Sequence, residues 1–95
     1  MTNAEQLRLL NRMNDDEVNA TDLSNTTLGE CLIFLMNDIY QKNPNRGQLH
    51  PVVSFNCYNE VLIELTVRAC SGDTEAEEII DRGVVVAKER MNDEE

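Results

Sequence analysis

Apolar residues recur along this chain mostly at helical spacing. Leu7, Leu10 and Met13, with Leu9 beside them, follow Thr2 and Glu5, whose separation is the reciprocal pattern that satisfies two free backbone N–H groups at a helix start. Leu28, Cys31, Leu32, Leu35 and Ile39 fall at i, i+3, i+4, i+7 and i+11 behind a second such pair, Thr27 and Glu30. Between these segments, residues 14–26 are rich in Asn, Asp, Ser and Thr, whose side chains compete for backbone hydrogen bonds. That stretch reads as a loop, with one helical turn near Asp15-Asp16-Glu17. Asn43-Pro44-Asn45-Arg46-Gly47 closes the second helix, because the residue before a proline avoids the α region and glycine permits a turn.

Residues 52–70 carry two patterns at once. As a helix, Tyr58, Val61, Leu62, Leu65 and Ala69 form one stripe, and Glu64 and Arg68 make an i,i+4 pair of favourable orientation. As a hairpin, Ile63, Leu65, Val67 and Ala69 alternate with polar residues and pair with Val52 to Cys57 through Tyr58-Asn59-Glu60. The helix is preferred, since the stripe outruns typical strand lengths and Ser71-Gly72 is a natural C-terminal stop. Asp73 or Thr74 then caps a last helix, with Thr74 and Glu77 at capping-box spacing. Its core stripe is Ala76, Ile79, Ile80, Gly83, Val84, Ala87 and Met91. Gly83 inside that stripe implies a close backbone crossing. The expected fold is all-α, a small bundle of three to four helices, with an α+β fold carrying a hairpin in 52–70 as the alternative. Residues 1–91 make one domain and 92–95 a loose acidic tail.

The second helix has more apolar surface than one face needs. Ile33 and Tyr40 lie on a flank of its stripe, and Phe34 falls almost opposite the stripe's centre. Either the helix is buried between two neighbours, or Ile33, Phe34 and Tyr40 form a dimer or partner surface.

Composition bounds the rest. Ninety-five residues with 41% apolar content support one modest core, and 18 Asp+Glu against 8 Lys+Arg give a net charge of -10. Such a balance repels phosphate backbones, so direct nucleic-acid binding is disfavoured and a basic partner is the natural complement. The charge is uneven: residues 1–30 carry -4, residues 31–70 are neutral, and residues 71–95 carry -6. No basic stretch followed by an apolar run opens the sequence, and the longest apolar stretch, Cys31 to Met36, is too short to span a bilayer. A cytoplasmic location is expected. Three widely spaced cysteines in apolar context, Cys31, Cys57 and Cys70, read as reduced buried thiols.

Little in the chain points to catalysis. His50, the only histidine, sits between Leu49 and Pro51 with no residue held beside it as a partner, and reads as a loop or cap residue. His50, Cys57 and Cys70 lack a fourth zinc ligand and C-x-x-C spacing. Glu60 and Glu64 are one helical turn apart but have no Glu-x-x-His companion, so they read as a solvated helix face. Asp15, Glu17 and Asn19 alternate as calcium ligands do, without the glycine and terminal glutamate of such a loop. No enzyme, metal or cofactor is expected.

The remaining feature is a set of carboxylates, Glu75, Glu77, Glu78, Asp81 and Glu89, on one predicted helix. They suggest a small regulator or inhibitor that occupies a basic surface of a protein partner. In size and charge the chain is similar to the small acidic proteins by which phages and mobile elements block DNA-handling enzymes, which implies a DNA mimic. The alternative is a structural subunit of a homo-oligomer, whose acidic exterior serves solubility.

Overall fold

Helical periodicity prevails over the hairpin in residues 52–70. The computed structural model describes residues 1–40 and 49–92. Within them lie α1 (Asn3–Asn14), α2 (Asn25–Ile39), α3 (Pro51–Cys70) and α4 (Thr74–Asn92), with a 3₁₀ turn at Ala20–Asp22 between α1 and α2. No strand occurs among the described residues. The turn expected at 43–47 and residues 93–95 of the expected tail lie outside them, while Asn92 is the last residue of α4 rather than part of a tail.

Local chemistry sets the helix ends. Thr2 and Glu5 form the expected capping box: the Thr2 hydroxyl accepts from the Glu5 N–H at 3.2 Å, and the Glu5 carboxylate accepts from the Thr2 N–H. The α1 C-terminus closes with Asp16 at φ 61, where the Glu17 N–H donates to the Arg12 carbonyl at 2.9 Å. This left-handed closure stops the helix where a helical turn was expected. The turn appears instead at Ala20–Asp22. Ser24, not Thr27, caps α2, because the Ser24 hydroxyl accepts from the Thr27 N–H at 3.2 Å and Asn25 and Thr26 are already helical. His50 caps α3 through Nδ1, which accepts from the Val52 N–H at 3.2 Å, and Pro51 occupies the position that needs no N–H partner. Gly72 at φ 98 ends α3, and the Asp73 carboxylate accepts from the Ala76 N–H at 3.1 Å to open α4.

The core draws on all four helices. Leu10 and Met13 of α1 pack with Leu28, Cys31, Leu32, Leu35 and Met36 of α2, with Cys57, Val61 and Leu65 of α3, and with Ala76 and Ile79 of α4. α2 touches every other helix, which is why its extra apolar flank is used internally: Phe34 and Tyr40 are half-buried against the core. One expected core position is wrong: Val84 is exposed and Val86, left out of the expected stripe, packs inward, so the α4 stripe runs Ala76, Ile79, Ile80, Gly83, Val86, Ala87. A Cβ on Gly83 would stand 2.8 Å from Leu32 Cδ2 and 3.2 Å from Met36 Cε, so α2 and α4 approach there as closely as a missing side chain allows. Gln6 is buried in α1, where its Oε1 accepts from the Cys31 thiol at 3.4 Å.

One side chain ties the polar segment to the bundle. The Arg68 guanidinium donates to Glu64 Oε1 at 2.9 Å, to Asn25 Oδ1 at 2.8 Å and to the Leu23 carbonyl at 2.7 Å, with a longer contact to the Thr21 carbonyl at 3.3 Å. Asn25 passes the connection on, donating from Nδ2 to Asp73 Oδ2 at 2.8 Å. Glu60 Oε1 accepts from the Ala20 N–H at 3.4 Å. Glu60 and Glu64 therefore hold the 20–23 segment, and the solvated face expected for them is corrected by these contacts.

Two substitutions test this account in thermal or urea unfolding. Arg68→Ala is expected to cost about 2–3 kcal/mol by leaving the Leu23 carbonyl and Glu64 without their donor, and Arg68→Lys to restore only part because it lacks the planar fork. Gly83→Val is expected to cost about 1–3 kcal/mol by forcing α2 and α4 apart, and Gly83→Ala less, because its single methyl must displace Leu32 Cδ2 but gains helix propensity. Wild-type stability in Arg68→Ala would remove the network from the list of structural determinants.

Candidate functional site

Residues of α2 and α4 on the side of Gly83 nearer the start of α4 line a groove of about 510 Å³. Its floor is Gly29, Ile33 and Ile79, and Ile79 carbons lie 3.5 Å from where a Gly29 Cβ would be. Glu30 stands on the α2 wall and Glu75 and Glu78 on the α4 wall, with Asn25 and Thr26 at the end nearest the Arg68 network. Arg82 is the one cation lining it, and among the described residues it forms no ion pair. Glu75 and Glu78, with Glu30 already paired to the Met1 ammonium, outweigh the Arg82 guanidinium and leave the groove acidic above an apolar floor.

The α4 side of this groove depends on the Asp73 cap. Its carboxyl is held below the ordinary carboxylate range, first by the hydrogen bond from Asn25 and then by that from the Ala76 N–H. A lowered value means a contribution to stability that is present above the ordinary carboxylate range and lost as pH falls through the folded value. The cap fixes the first turn of α4, where Glu75 and Glu77 also benefit from the positive end of the helix dipole.

The α2 wall already binds a cation. The Met1 ammonium donates to Glu30 Oε2 at 3.1 Å, and that hydrogen bond, with the attraction between the two charges, raises the ammonium above its ordinary pKa. Glu30, expected as a capping partner for Thr27, is instead a rim carboxylate.

The structure splits both expected surfaces. Of the five α4 carboxylates, Glu75 and Glu78 line the groove, whereas Glu77 and Asp81 are exposed outside it and Glu89 is exposed about 12 Å beyond Asp81 along the helix. Of the apolar set, Ile33 lines the groove, while Phe34 and Tyr40 turn to the core and form no free patch with it. Residues placed on separate surfaces by sequence thus share one groove, an arrangement that depends on the α2–α4 crossing. A second face escaped the sequence reading: Val52, Phe55, Ile63 and Val67 of α3 are exposed. The signal was present in the hairpin pattern, since Val52, Ile63 and Val67 are apolar residues that the helical stripe leaves out.

The sites weighed and set aside have plain structural roles. Glu17 pairs with Arg12 at 3.5 Å, and His50 is a helix cap. Among the described residues, no group of three or more His, Cys, Asp or Glu side chains is arranged to hold a metal ion, and no helix is long and apolar enough to cross a membrane. Cys31 and Cys57 are buried, and burial pushes their thiols up to about 12 and about 11; Cys70, expected to be buried, is exposed on the outer side of α3. With folded values raised, their contribution to stability is full below the ordinary thiol value and falls as pH rises toward 11–12. A thiol-specific reagent at pH 8 is expected to modify Cys70 alone in the native protein and all three thiols after unfolding. Rapid native modification of Cys31 or Cys57 would contradict that burial.

Comparison of the chain with models of known protein families, with curated proteins and with solved structures finds no match.

Proposed function

We propose that this chain is a small acidic protein-binding regulator or inhibitor that seats a basic segment of another protein in the α2–α4 groove. The observation that carries the reading is the pairing of an apolar floor, Ile33 and Ile79, with carboxylates on both walls, Glu30, Glu75 and Glu78. Lysine and arginine fit such a groove: their aliphatic stems cover apolar surface while the charged heads reach carboxylates at the rim. The Met1 ammonium on Glu30 is an example of the contact such a segment would make. Beyond the groove, the exposed carboxylates Glu77, Asp81 and Glu89 extend the negative field along α4 and favour encounter with a basic surface, including one that otherwise holds nucleic-acid phosphates. The work asked of the protein is occupancy of that surface.

Binding to an Arg/Lys-rich peptide of about a dozen residues, measured calorimetrically at low salt, tests the reading. Glu75→Lys/Glu78→Lys is expected to weaken binding by at least about tenfold, and Glu77→Lys/Asp81→Lys, which changes the net charge equally outside the groove, by much less. Arg82→Gln is expected to strengthen it. Equal losses from the two double variants would reduce the groove to general electrostatics and overturn the proposal.

A further inference from the structure

The α2–α4 groove has a direction. Asn25 meets Asp73, Gly29 meets Ile79, and Leu32 and Met36 meet Gly83, so α2 and α4 run parallel and both start at the same end of the groove. Charge changes sign along that axis. On α4, Glu75 stands nearest the helix starts, Glu78 lies about 4.5 Å further on, and Arg82 about 6 Å beyond that. Arg82 and Ile33 are the last lining residues of their helices, and the floor between the two ends is Gly29 and Ile79. Glu30 is engaged by the Met1 ammonium, so the charges open to a ligand are the two carboxylates and the guanidinium of α4.

We propose that the groove seats an amphipathic helix of its protein partner, antiparallel to α2 and α4, whose basic residues are preceded by one acidic residue that pairs with Arg82. This rests on the reading of the groove as a seat for a basic segment and adds the segment's conformation, direction and charge order. Spacing selects the helix. Glu75, Glu78 and Arg82 are set apart by the rise of α4, and a helix lying beside it repeats the same steps on one face. An extended segment returns to one face every two residues, about 6.6 Å, and cannot match both the shorter and the longer step. Charge complementarity then sets the pattern Glu-x-x-Leu-Lys-x-x-Lys, with the acidic residue at Arg82, the leucine over Gly29 and Ile79, and the lysines at Glu78 and Glu75. The direction follows from the dipoles. In this order the partner helix carries its acidic residue toward its own N-terminus, its basic residues toward its C-terminus, and a glutamate four positions before a lysine, each favourable to the helix itself. Its C-terminal end also faces the positive ends of α2 and α4, which lie together. Arg82 is thus a specificity-determining residue, since it repels a helix that is basic throughout.

Two synthetic helical peptides test the proposal by calorimetry at about 0.15 M salt, where charges more than about 8 Å apart are largely screened. One carries Glu-x-x-Leu-Lys-x-x-Lys and the other Lys-x-x-Leu-Lys-x-x-Lys, with alanine or glutamine at each x. Arg82→Gln is expected to weaken the first by about two- to fivefold and to strengthen the second by a similar factor. Net charge alone predicts the opposite for the first peptide, because the variant is more negative and both peptides are basic. A nitroxide at the acidic end of the first peptide is expected to broaden the amide resonances of Ile33 and Arg82 more than those of Asn25 and Thr26. Arg82→Gln tightening both peptides, or leaving the first unchanged, overturns the proposal while the groove remains a seat for basic segments. Absence of binding by either peptide removes that reading together with the proposal. Broadening centred on Asn25 and Thr26 overturns the antiparallel direction.

Discussion

The fork of hydrogen bonds from Arg68 is the interaction on which the rest of this structure depends. The segment between α1 and α2 contributes few apolar side chains, and a bundle this small has little hydrophobic surface to spare for holding it. A guanidinium can donate in several directions within one plane, which a single ammonium cannot, and Arg68 uses that plane to reach Glu64, Asn25 and the Leu23 carbonyl. Through Asn25 the same arrangement reaches Asp73 and so the start of α4. The position of the loop, the entry of α2 and the cap of α4 are therefore coupled.

That coupling explains how the candidate site is assembled. Asn25 belongs both to the polar network and to the end of the groove, and Asp73 orients the turn that presents Glu75 and Glu78. Groove and network are consecutive parts of one seam between α2 and α4. Buried polar groups along it are satisfied: no buried side-chain nitrogen or oxygen among the described residues lacks a hydrogen-bond partner. The exposed apolar residues of α3, Val52, Phe55, Ile63 and Val67, stand outside this seam.

Much of the architecture was legible in the sequence because periodicity and capping are local. Thr2 with Glu5, the stripe from Leu28 to Leu35 and the Gly72 stop each depend on residues within a few turns, and Gly83 stood out as a glycine inside an apolar stripe. What could not be read depends on distant partners. Nothing near Arg68 in sequence announces that it will bind carbonyls more than forty positions earlier. The same holds for Phe34, whose burial is decided by α2 touching all three other helices, and for Glu30, which meets Met1 instead of a neighbouring N–H. The ambiguity in 52–70 was itself informative. Val52, Ile63 and Val67, the β-branched residues that supported a hairpin, are residues that the helix leaves outside the core.

Gly83 has a consequence for the groove that its own packing does not reveal. The residue lies one turn beyond Ile79 along α4 and contributes nothing to the lining, yet the absence of its side chain lets the two walls approach at the groove's edge. It acts as a fulcrum: any group added there works as a wedge, and the walls turn about it by an amount that grows with distance. The spacing between Glu30 and Glu75 is thus governed from a position that a ligand in the groove never touches, and changes in selectivity can originate in the core as readily as at the rim.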